Sequence, residues 1–335
     1  MTKALALISG GLDSILAAKA IKDLGVDVIG VYFKTPFCLR KKKDITTSTE
    51  LANELSQNAG IELKIVELND EFLAIVRHPK HGYGKNINPC IDCKILMLRK
   101  AREMMESLGA SFLISGEVLG QRPMSQHHPA LDMISKEAEV EGILLRPLSA
   151  KHLEPTIPEQ KGWVDRDKLF DFSGRTRRPQ MELAVMLGVI DYPNASGGCL
   201  LTDPLFSKRL RDLMKFGVYD MKNVALLKVG RHYRFAYDAK LIVGRDEAEN
   251  TDIEKLAQDG DILFVPPPDL AGPSALARGN FSEDQLKLSA GIIARYCDLA
   301  GKLSIDISYR KLPESDWRVL NVAPVPDEES EKYRL

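Results

Sequence analysis

The stretch Ser9–Ser14, which reads SGGLDS, is the first place where residue types and spacing point to chemistry. It lies between the apolar runs ALALI and ILAAKAI, so we expect a turn between a buried strand and a helix. Glycines in such a turn let backbone N–H groups approach phosphate oxygens, and the helix start adds roughly half a positive charge. The simpler alternative is a tight turn in which Asp13 caps the helix. The predicted anion site consists of Ser9, Gly10, Gly11, Leu12, Asp13 and Ser14.

Three cysteines form a second candidate group. Cys90 and Cys93 stand in NPCIDCK, and Cys199 stands in SGGCLLTDP, at the start of the strand-like CLLTDPLF. The chain has no second CxxC, so adjacent cysteine pairs cannot build a closed zinc site. One interpretation is a [4Fe–4S] cluster held by Cys90, Cys93 and Cys199, with a fourth iron open to sulfide. The other is a persulfide on one cysteine with a second cysteine to resolve it, helped by a lowered pKa of Cys90 at a helix start.

Three buried, inert thiols are the remaining alternative for this group. The other two cysteines receive no role from the sequence. Cys38 lies in TPFCLRKKK without a partner motif, and Cys297 falls on the apolar face of a predicted helix, where a small buried thiol is the ordinary case.

These groups need a framework, and the first 200 residues alternate short apolar strands with longer helices. The predicted strands are ALALIS, DVIGVYF, IELKIVEL and SFLISGE, and the predicted helices are SILAAKAIKDLG, TSTELANELSQNAG and CKILMLRKAREMMESLG. The alternation predicts an α/β fold with a doubly wound, Rossmann-like parallel sheet. Ligands bind at the carboxyl ends of such strands, where SGGLDS, the end of VYF and Gly116 all occur.

The sequence texture changes at about residue 206. Short strand-like segments with tight turns follow, and they mix with helix-like segments such as SEDQLKLSAGIIARYC. A chain of 335 residues is long enough for two domains. We therefore predict one domain over residues 1–206 and a smaller α+β domain over residues 207–335.

Composition bounds the class of partner and the compartment. No apolar run is long enough to span a membrane, and five cysteines, an odd number, favour a reducing cytoplasm. The net charge of −1 means that RNA could be bound only through local basic patches. The candidate patches are RKKK (Arg40–Lys43), RTRR (Arg175–Arg178) and RHYRF (Arg231–Phe235).

SGGLDS resembles the SGGxDS loop of the PP-loop ATP pyrophosphatases, which split ATP into AMP and pyrophosphate to adenylate a substrate. The resemblance implies the adenine nucleotide alpha-hydrolase fold, with pyrophosphate and Mg²⁺ held at Ser9–Ser14. It also implies that adenine lies against the end of the second strand, at Tyr32 and Phe33. We place Gly116 in the same ATP site, and Asp13 would position Mg²⁺ or the reacting oxygen.

Four further stretches resemble tRNA-thiolating members of this superfamily. GEVLGQRPMSQ and ILLRPLS are similar to segments of 4-thiouridine synthetases, while NPCIDCK and SGGC are similar to the cysteine loops of tRNA thiolation enzymes. The resemblance implies catalytic roles for Asp13, Cys90 and Cys199. Candidate RNA-contacting residues are Gln121, Ser125, Arg175, Arg177 and Arg178. No RNA-binding segment precedes the PP-loop and no rhodanese-type sulfur carrier follows, but KVGRHYRF, AKLIVGRDEAEN and GPSALARG resemble an RNA-binding domain of NFACT proteins.

Together these features predict an ATP-dependent tRNA sulfurtransferase in the cytoplasm, with 4-thiouridine as the favoured product. The expected cofactors are ATP, Mg²⁺ and the [4Fe–4S] cluster. The expected partners are tRNA and a sulfur donor, either sulfide or the persulfide of a cysteine desulfurase, with no membrane and with a homodimer as an option. The alternatives are a cluster-free persulfide thiolase, a PP-loop ligase for a small molecule, and a non-catalytic nucleotide-sensing RNA-binding adaptor.

Overall fold

The computed structural model describes residues 2–38, 48–189, 199–299 and 301–335. The chain forms two compact units, Met1–Thr202 and Asp203–Leu335. The boundary drawn from the sequence at residue 206 falls inside the first helix of the second unit. Within the described ranges, no helix has both the length and the apolar composition that crossing a membrane requires.

The first unit is an α/β sandwich around a parallel sheet. Its strands are β1 (Lys3–Leu7), β2 (Asp27–Lys34), β3 (Glu62–Glu67), β4 (Phe112–Ser115) and β5 (Leu144–Leu145). Its helices are α1 (Leu12–Asp23), α2 (Ser48–Ala59), α3 (Asp70–Arg77), α4 (Cys90–Leu108), α5 (His128–Glu137), α6 (Ile157–Gln160) and α7 (Arg178–Met186). Short 3₁₀ helices cover Pro147–His152, Arg166–Lys168 and Leu200–Thr202.

The sheet order is β3-β2-β1-β4-β5, with every pair parallel. The chain moves outward from β1 to β3 and then returns to β4 on the other side of β1, which is the doubly wound arrangement predicted from the sequence. Ligands in such sheets bind where the strand order reverses, here between the carboxyl ends of β1 and β4. Those ends carry Ser9–Ser14 and Gly116.

Apolar side chains on α1 anchor the start of the fold. Ile15, Leu16 and Ile21 are fully buried against a core that includes Ala4, Ala6 and Phe112. Burial of each large aliphatic side chain contributes about 1.5–3 kcal/mol. Helix α1 begins at Leu12, two residues before the predicted start at Ser14, so Asp13 and Ser14 belong to its first turn.

The second unit combines helices with an antiparallel sheet, as the predicted α+β class requires. Its helices are α8 (Pro204–Phe216), α9 (Met221–Leu226), α10 (Glu247–Lys255), α11 (Glu283–Ala294) and α12 (Asp327–Glu331). Its strands are β6 (Arg231–Ala236), β7 (Ala239–Val243), β8 (Ile262–Val265), β9 (Ala275–Gly279), β10 (Ile305–Lys311) and β11 (Arg318–Val322). They pair in the order β11-β10-β8-β9-β7-β6.

One local prediction is wrong. CLLTDPLF, interpreted as strand-like, forms a 3₁₀ turn followed by the first turn of α8. The Asp203 side chain accepts a hydrogen bond from the Phe206 N–H at 2.7 Å, and Pro204 occupies the first helical position. A capping aspartate followed by proline is typical of a helix start, and here it overrides the apolar run.

Candidate functional site

The loop after β1 is shaped by its own serines. Ser9 Oγ donates to Ser14 Oγ at 3.1 Å, and Ser14 Oγ donates to the Gly11 carbonyl at 2.8 Å. Gly10 has a φ of 77°, in the left-handed region that favours glycine. Both hydroxyls therefore bond within the loop and accept from the N–H groups of Ser9 and Gly11, so the other backbone N–H groups of the loop are the donors that an anion would meet.

Asp13 is not the helix cap. Gly11 is the N-cap of α1 and supplies no side-chain bond to the first turn, so the turn-and-cap alternative for Asp13 is wrong. The Asp13 carboxylate instead accepts a hydrogen bond at Oδ2 from Gln121 Nε2 at 2.8 Å. Its Oδ1 lies 3.6 Å from Arg177 Nη2 and is buried, with no hydrogen-bond partner among the described residues.

Gln121 is held in turn by Gln180. Gln180 is fully buried on α7 and donates from Nε2 to Gln121 Oε1 at 3.1 Å. The predicted RNA residues Gln121 and Arg177 thus both contact the aspartate of Ser9–Ser14, the predicted ATP loop. Gln180 was missed, and its only sequence signal is its position beside the basic run RTRR.

The end of β4 packs directly on the ATP loop. A Cβ at Gly116 would lie 2.5 Å from backbone atoms of Asp13 and Ser14, so only glycine fits there. The next residue, Glu117, is buried and accepts a hydrogen bond from Arg146 Nε at 3.0 Å, while Lys94 Nζ lies 3.5 Å from its other oxygen. Burial opposes ionisation of Glu117, but Lys94 and Arg146 outweigh it and hold the pKa of the carboxyl below its usual value.

Glu117, Arg146 and Lys94 were missed from the sequence, although each lies in a stretch that carries the resemblance. The sequence signal that could have identified two of them is a charged residue in an otherwise apolar stretch. Glu117 follows a glycine in GEV, and Arg146 precedes a proline in LRPL. Lys94 follows Cys93 on α4, so the ion pair with Glu117 links the ATP loop to the cysteine helix.

Tyr32 and Phe33 lie at the carboxyl end of β2, paired with Ile65 and Val66 of β3. Neighbouring residues of a strand point to opposite faces, so these two rings cannot both face one ligand. Phe33 is buried and Tyr32 is half-buried, which leaves Tyr32 as the more accessible ring.

Four cysteines come together in the first unit. Cys90 begins α4 and Cys93 follows one turn later. Cys199 pairs with Cys38 as an isolated antiparallel β-bridge. The pKa of Cys93 is raised chiefly by burial, and the neighbouring Cys199, Cys90 and Cys38 raise it further.

The segment before α4 is tied to the residues after Cys199. The Ile87 N–H donates to the Leu201 carbonyl at 3.2 Å, and Asn86 Nδ2 donates to the Thr202 carbonyl at 2.7 Å. These bonds bring Cys199 to the CxxC despite the long separation in sequence. The glycines of SGGC, residues 197 and 198, lie outside the described residues.

The expected lowered pKa of Cys90 is wrong. Burial raises the pKa of Cys90 despite the opposing effects of Lys94, Arg122 and Asn88. Burial also raises the pKa of Cys199 to about 12. Cys297 belongs to the second unit, where its Sγ lies 3.4 Å from the Ile293 carbonyl.

Asp92, inside the CxxC, fixes the loop in front of α4. It accepts hydrogen bonds from the backbone N–H groups of Lys80 and His81, both at 3.1 Å. The His81 ring lies between two carboxylates, with Nδ1 3.1 Å from Asp92 and Nε2 3.0 Å from Glu137. This network explains the polar residue between the cysteines and gives His81 a positioning role that the sequence did not reveal.

The remaining predicted RNA residues differ in access. Ser125 is buried, Arg175 and Arg178 are exposed, and Arg178 pairs with Glu182. A shallow cavity of about 420 Å³ lies beside α7, lined by Arg177, Arg178, Met181, Glu182 and Val185. The basic run Arg40–Lys43 lies outside the described residues.

Among the described residues, no group of three or more His, Cys, Asp or Glu side chains is arranged to hold a metal ion. The donor set nevertheless suits a [4Fe–4S] cluster, because thiolates are its usual ligands. Each thiolate of such a cluster binds a different iron, so its ligands stand further apart than those of a single ion.

Comparison with known proteins gives the same two-part picture. Residues 1–157 match the family model described as thiamine biosynthesis protein (ThiI), and residues 230–334 match the NFACT protein RNA binding domain. The tRNA-specific 2-thiouridylase MnmA of Petrotoga mobilis is 35% identical over 130 residues, which is 35% of each protein. The same enzyme of Listeria innocua is 23% identical over 289 residues, 83% of this chain and 72% of that protein. The matched part thus spans about a third of the first curated relative.

Two solved structures are also similar. A 4-thiouridine synthetase–RNA complex with bound ATP has 22% identity and a TM-score of 0.35, covering 56% of this chain and 52% of that one. The U34-tRNA thiolase NcsA of Methanococcus maripaludis, with its [4Fe–4S] cluster, has 19% identity and a TM-score of 0.34, covering 67% and 70%.

Proposed function

We propose that this chain, which joins a PP-loop domain of the tRNA-thiolation type to an NFACT-type RNA-binding domain, is an ATP-dependent tRNA sulfurtransferase. The observation that carries the proposal is the contact between its two candidate sites. Gly116 packs on the ATP loop, and the adjacent Glu117 pairs with Lys94, which follows Cys93. A site that activates a carbonyl oxygen and a site that holds sulfur would both be needed for thiolation, and here they share one framework.

In the proposed activation step, the uridine carbonyl oxygen attacks the α-phosphate of ATP and pyrophosphate leaves. The amides of Ser9–Ser14 would hold the phosphates at the start of α1, where the helix dipole favours negative charge. Gly116, which packs closely on the loop, would form the opposite side of the ATP site. Adenine would lie at the end of β2, at Tyr32 or Phe33. The product is an adenylated base, in which AMP has become a good leaving group.

Asp13 would position Mg²⁺ or the reacting phosphate. Its buried Oδ1 lacks a hydrogen-bond partner among the described residues, so it is the carboxylate oxygen available to a cation. Gln121 fixes Oδ2, and the nearby Arg177 offers positive charge for a phosphate oxygen. Hard carboxylate oxygens are the ligands that Mg²⁺ prefers.

In the proposed sulfur-transfer step, Cys90, Cys93 and Cys199 would hold the [4Fe–4S] cluster. When bound, a cluster with one iron lacking a protein thiolate supplies a place to hold sulfide as the nucleophile that displaces AMP. The raised pKa values of Cys90 and Cys199 favour this route over the persulfide route, because protonated thiols are poor nucleophiles whereas metal binding deprotonates them. A cysteine persulfide with a resolving cysteine remains the second route. Sulfide would be the donor for the cluster route, and a desulfurase persulfide would be the donor for the persulfide route.

The second unit would dock tRNA. The Arg231 guanidinium lies 4.2 Å from the Tyr296 ring centre, and that of Arg310 lies 4.8 Å from the Trp317 ring centre. Such cation–aromatic pairs are well suited to unpaired bases and phosphates. Residues 1–206 would carry ATP and sulfur chemistry and residues 207–335 RNA binding, in a cytoplasmic protein that could act as a homodimer.

The favoured product is 4-thiouridine, because GEVLGQRPMSQ and ILLRPLS resemble 4-thiouridine synthetases. The test is mass spectrometry of nucleosides from unmodified tRNA incubated with the reduced protein, ATP, Mg²⁺, iron and sulfide. We expect 4-thiouridine and equimolar pyrophosphate. Recovery of 2-thiouridine would correct the position only, whereas no thiolated nucleoside from protein that still binds tRNA and ATP would favour the adaptor alternative.

Asp13→Asn and Asp23→Asn form a matched pair for this assay. Both lie on α1, but Asp23 is exposed at its last turn. We expect the Asp13 variant to lose pyrophosphate release and the Asp23 variant to keep it. Equal activity of the two variants would remove Asp13 from the proposed site.

A further inference from the structure

Within the first unit, Cys38 is the described thiol to which the proposed reaction gives no task. It follows the end of β2 and faces Cys199 across an isolated antiparallel bridge. The Leu200 N–H donates to the Phe37 carbonyl at 3.0 Å beside this bridge. Leu200 follows Cys199 and Phe37 precedes Cys38, so this hydrogen bond flanks the bridge. It identifies Cys38 and Cys199 as a non-hydrogen-bonded antiparallel pair, the type in which facing side chains lie closest.

This position meets the backbone requirement of a disulfide. Non-hydrogen-bonded antiparallel pairs have Cα atoms about 4.5 Å apart. Disulfides form when that separation is between roughly 4.4 and 6.8 Å. Both cysteines are free thiols in the structure.

The described backbone next to each of the two cysteines is held by hydrogen bonds within its own segment. Thr202 donates to the Cys199 carbonyl through Oγ1 at 2.7 Å and through its N–H at 3.0 Å. On the other side, the Cys38 N–H donates to the Thr35 carbonyl, and Phe37 is fully buried. Thr35 Oγ1 lies 3.2 Å from Cys38 Sγ, within hydrogen-bonding distance.

We propose that Cys38 and Cys199 are a redox pair that forms a reversible disulfide and thereby removes Cys199 from sulfur handling. Each thiol gives up one hydrogen atom, the S–S bond forms, and a peroxide accepts the two electrons and two protons as its O–O bond breaks to give two water molecules. A dithiol reductant restores both thiols. The Cys38–Cys199 disulfide is inferred from the β-bridge alone, whereas its effect on activity rests on the proposed function.

The direct test is disulfide mapping of the full chain, purified without added iron, during treatment with hydrogen peroxide that continues until disulfide formation reaches a plateau. We expect a linked peptide pair containing Cys38 and Cys199. It should persist in Cys93→Ser and in the control Cys297→Ser, and it should be absent from Cys38→Ser. Linkage of Cys199 to Cys90 or Cys93, or a peroxide-treated chain with no Cys199 linkage, would overturn the proposal.

The second test measures tRNA thiolation before and after peroxide. We expect the wild-type chain to lose activity and to regain it with dithiothreitol, while Cys38→Ser starts active and loses much less. Equal loss in both proteins would show that the Cys38–Cys199 bond is not the inactivating event. Failure of the proposed function gives a different pattern, since reduced, untreated protein would then thiolate no tRNA although the mapping result could still be positive.

Discussion

Gln121 Nε2 donates a hydrogen bond to Asp13 Oδ2 at 2.8 Å across 108 positions of sequence. The bond joins the loop after β4 to the first turn of α1, and Gln180 holds the far side of the same amide. Since Asp13 has a second oxygen without a hydrogen-bond partner among the described residues, Gln121 fixes the direction in which that oxygen points.

Removal of this amide should therefore impair adenylation more than folding. A hydrogen bond to a charged group contributes about 1.5–3 kcal/mol, so Gln121→Ala should lower kcat/KM for pyrophosphate release roughly 10- to 100-fold. Gln121→Glu should lower it further, because two carboxylates would face each other. Gln160→Ala changes an exposed amide on α6 and serves as the control. Unchanged pyrophosphate release in Gln121→Ala would contradict the role given to this bond.

The contact of Gly116 with the ATP loop predicts a steric effect. The methyl group of Gly116→Ala would lie 2.5 Å from backbone atoms of Asp13 and Ser14 and would displace them. Overpacking of this kind costs about 1–3 kcal/mol, so the free energy of unfolding should fall by that amount and ATP affinity should fall with it.

Gly11→Ala is the matched control for stability, because a Cβ there lies at an ordinary 3.5 Å from Ser9 Oγ. Urea denaturation of both variants gives the comparison of stability, and ATP titration of Gly116→Ala against the wild type gives the change in affinity. Equal unfolding free energies would show that the loop can move away from a side chain at position 116.

The buried ion pair of Glu117 predicts a pH effect with a defined sign. Its pKa in the folded state lies below the usual value of 4.5, so ionised Glu117 stabilises the fold above that pH. This contribution should disappear as the pH falls below about 4.5 and through the lower pKa of the folded state. Glu117→Gln should lack this component and leave Arg146 without its buried partner, at a cost of about 3–5 kcal/mol.

The exposed pair Arg102–Glu139 supplies the control for this measurement. Glu139→Gln should change the unfolding free energy by about 0–1 kcal/mol. The urea midpoint of unfolding is measured for the wild type and each variant at a series of pH values from 7 to 3, and the difference from the wild type is compared across the series. If the difference in urea midpoint between the wild type and Glu117→Gln does not decrease as the pH falls, the predicted pH effect is contradicted.

The raised thiol pKa values predict slow alkylation of the metal-free protein. With a pKa of about 12, Cys199 should hold roughly a thousandfold less thiolate at neutral pH than a thiol with the ordinary value of 9.0. Its iodoacetamide reaction should accelerate up to that pH, as followed by mass spectrometry of the peptides. Rapid alkylation at pH 7 would instead support the persulfide route.

Iron content tests the same cysteines in the loaded state. Anaerobic reconstitution with iron and sulfide should give a brown protein, and Cys90→Ala, Cys93→Ala or Cys199→Ala should each lose most of the iron. Cys297→Ala should keep it, because Cys297 lies in the second unit. Full iron in Cys199→Ala would rule out the three-cysteine ligand set.

The sheet and the position of the Ser9–Ser14 loop could be predicted from the sequence because both follow from local patterns. Alternating apolar strands and helices led to the correct parallel, doubly wound sheet, and SGGLDS was placed correctly between β1 and α1. The partners of Asp13 could not be predicted in the same way. Gln121 and Arg177 reach it from distant parts of the chain, and Gln180 on α7 holds Gln121, so these positions depend on the completed fold.

The cysteines show the same limit. The CxxC was visible as a motif, but its burial depends on tertiary packing, and burial reversed the expected pKa shift of Cys90. Cys38 had no motif at all, since its relation to Cys199 is a β-bridge between segments 161 residues apart in the chain (199 − 38). Local capping also decided CLLTDPLF, where Asp203 and Pro204 were the overlooked signal.

The ion pair between Lys94 and Glu117 has a further consequence for the order of events. It joins the residue after Cys93 to the residue after Gly116, so the Ser9–Ser14 loop and the start of α4 belong to one packed framework. In the proposed reaction, an adenylated base would therefore have to move from the loop toward the cysteines, because the two candidate sites are separate parts of that framework.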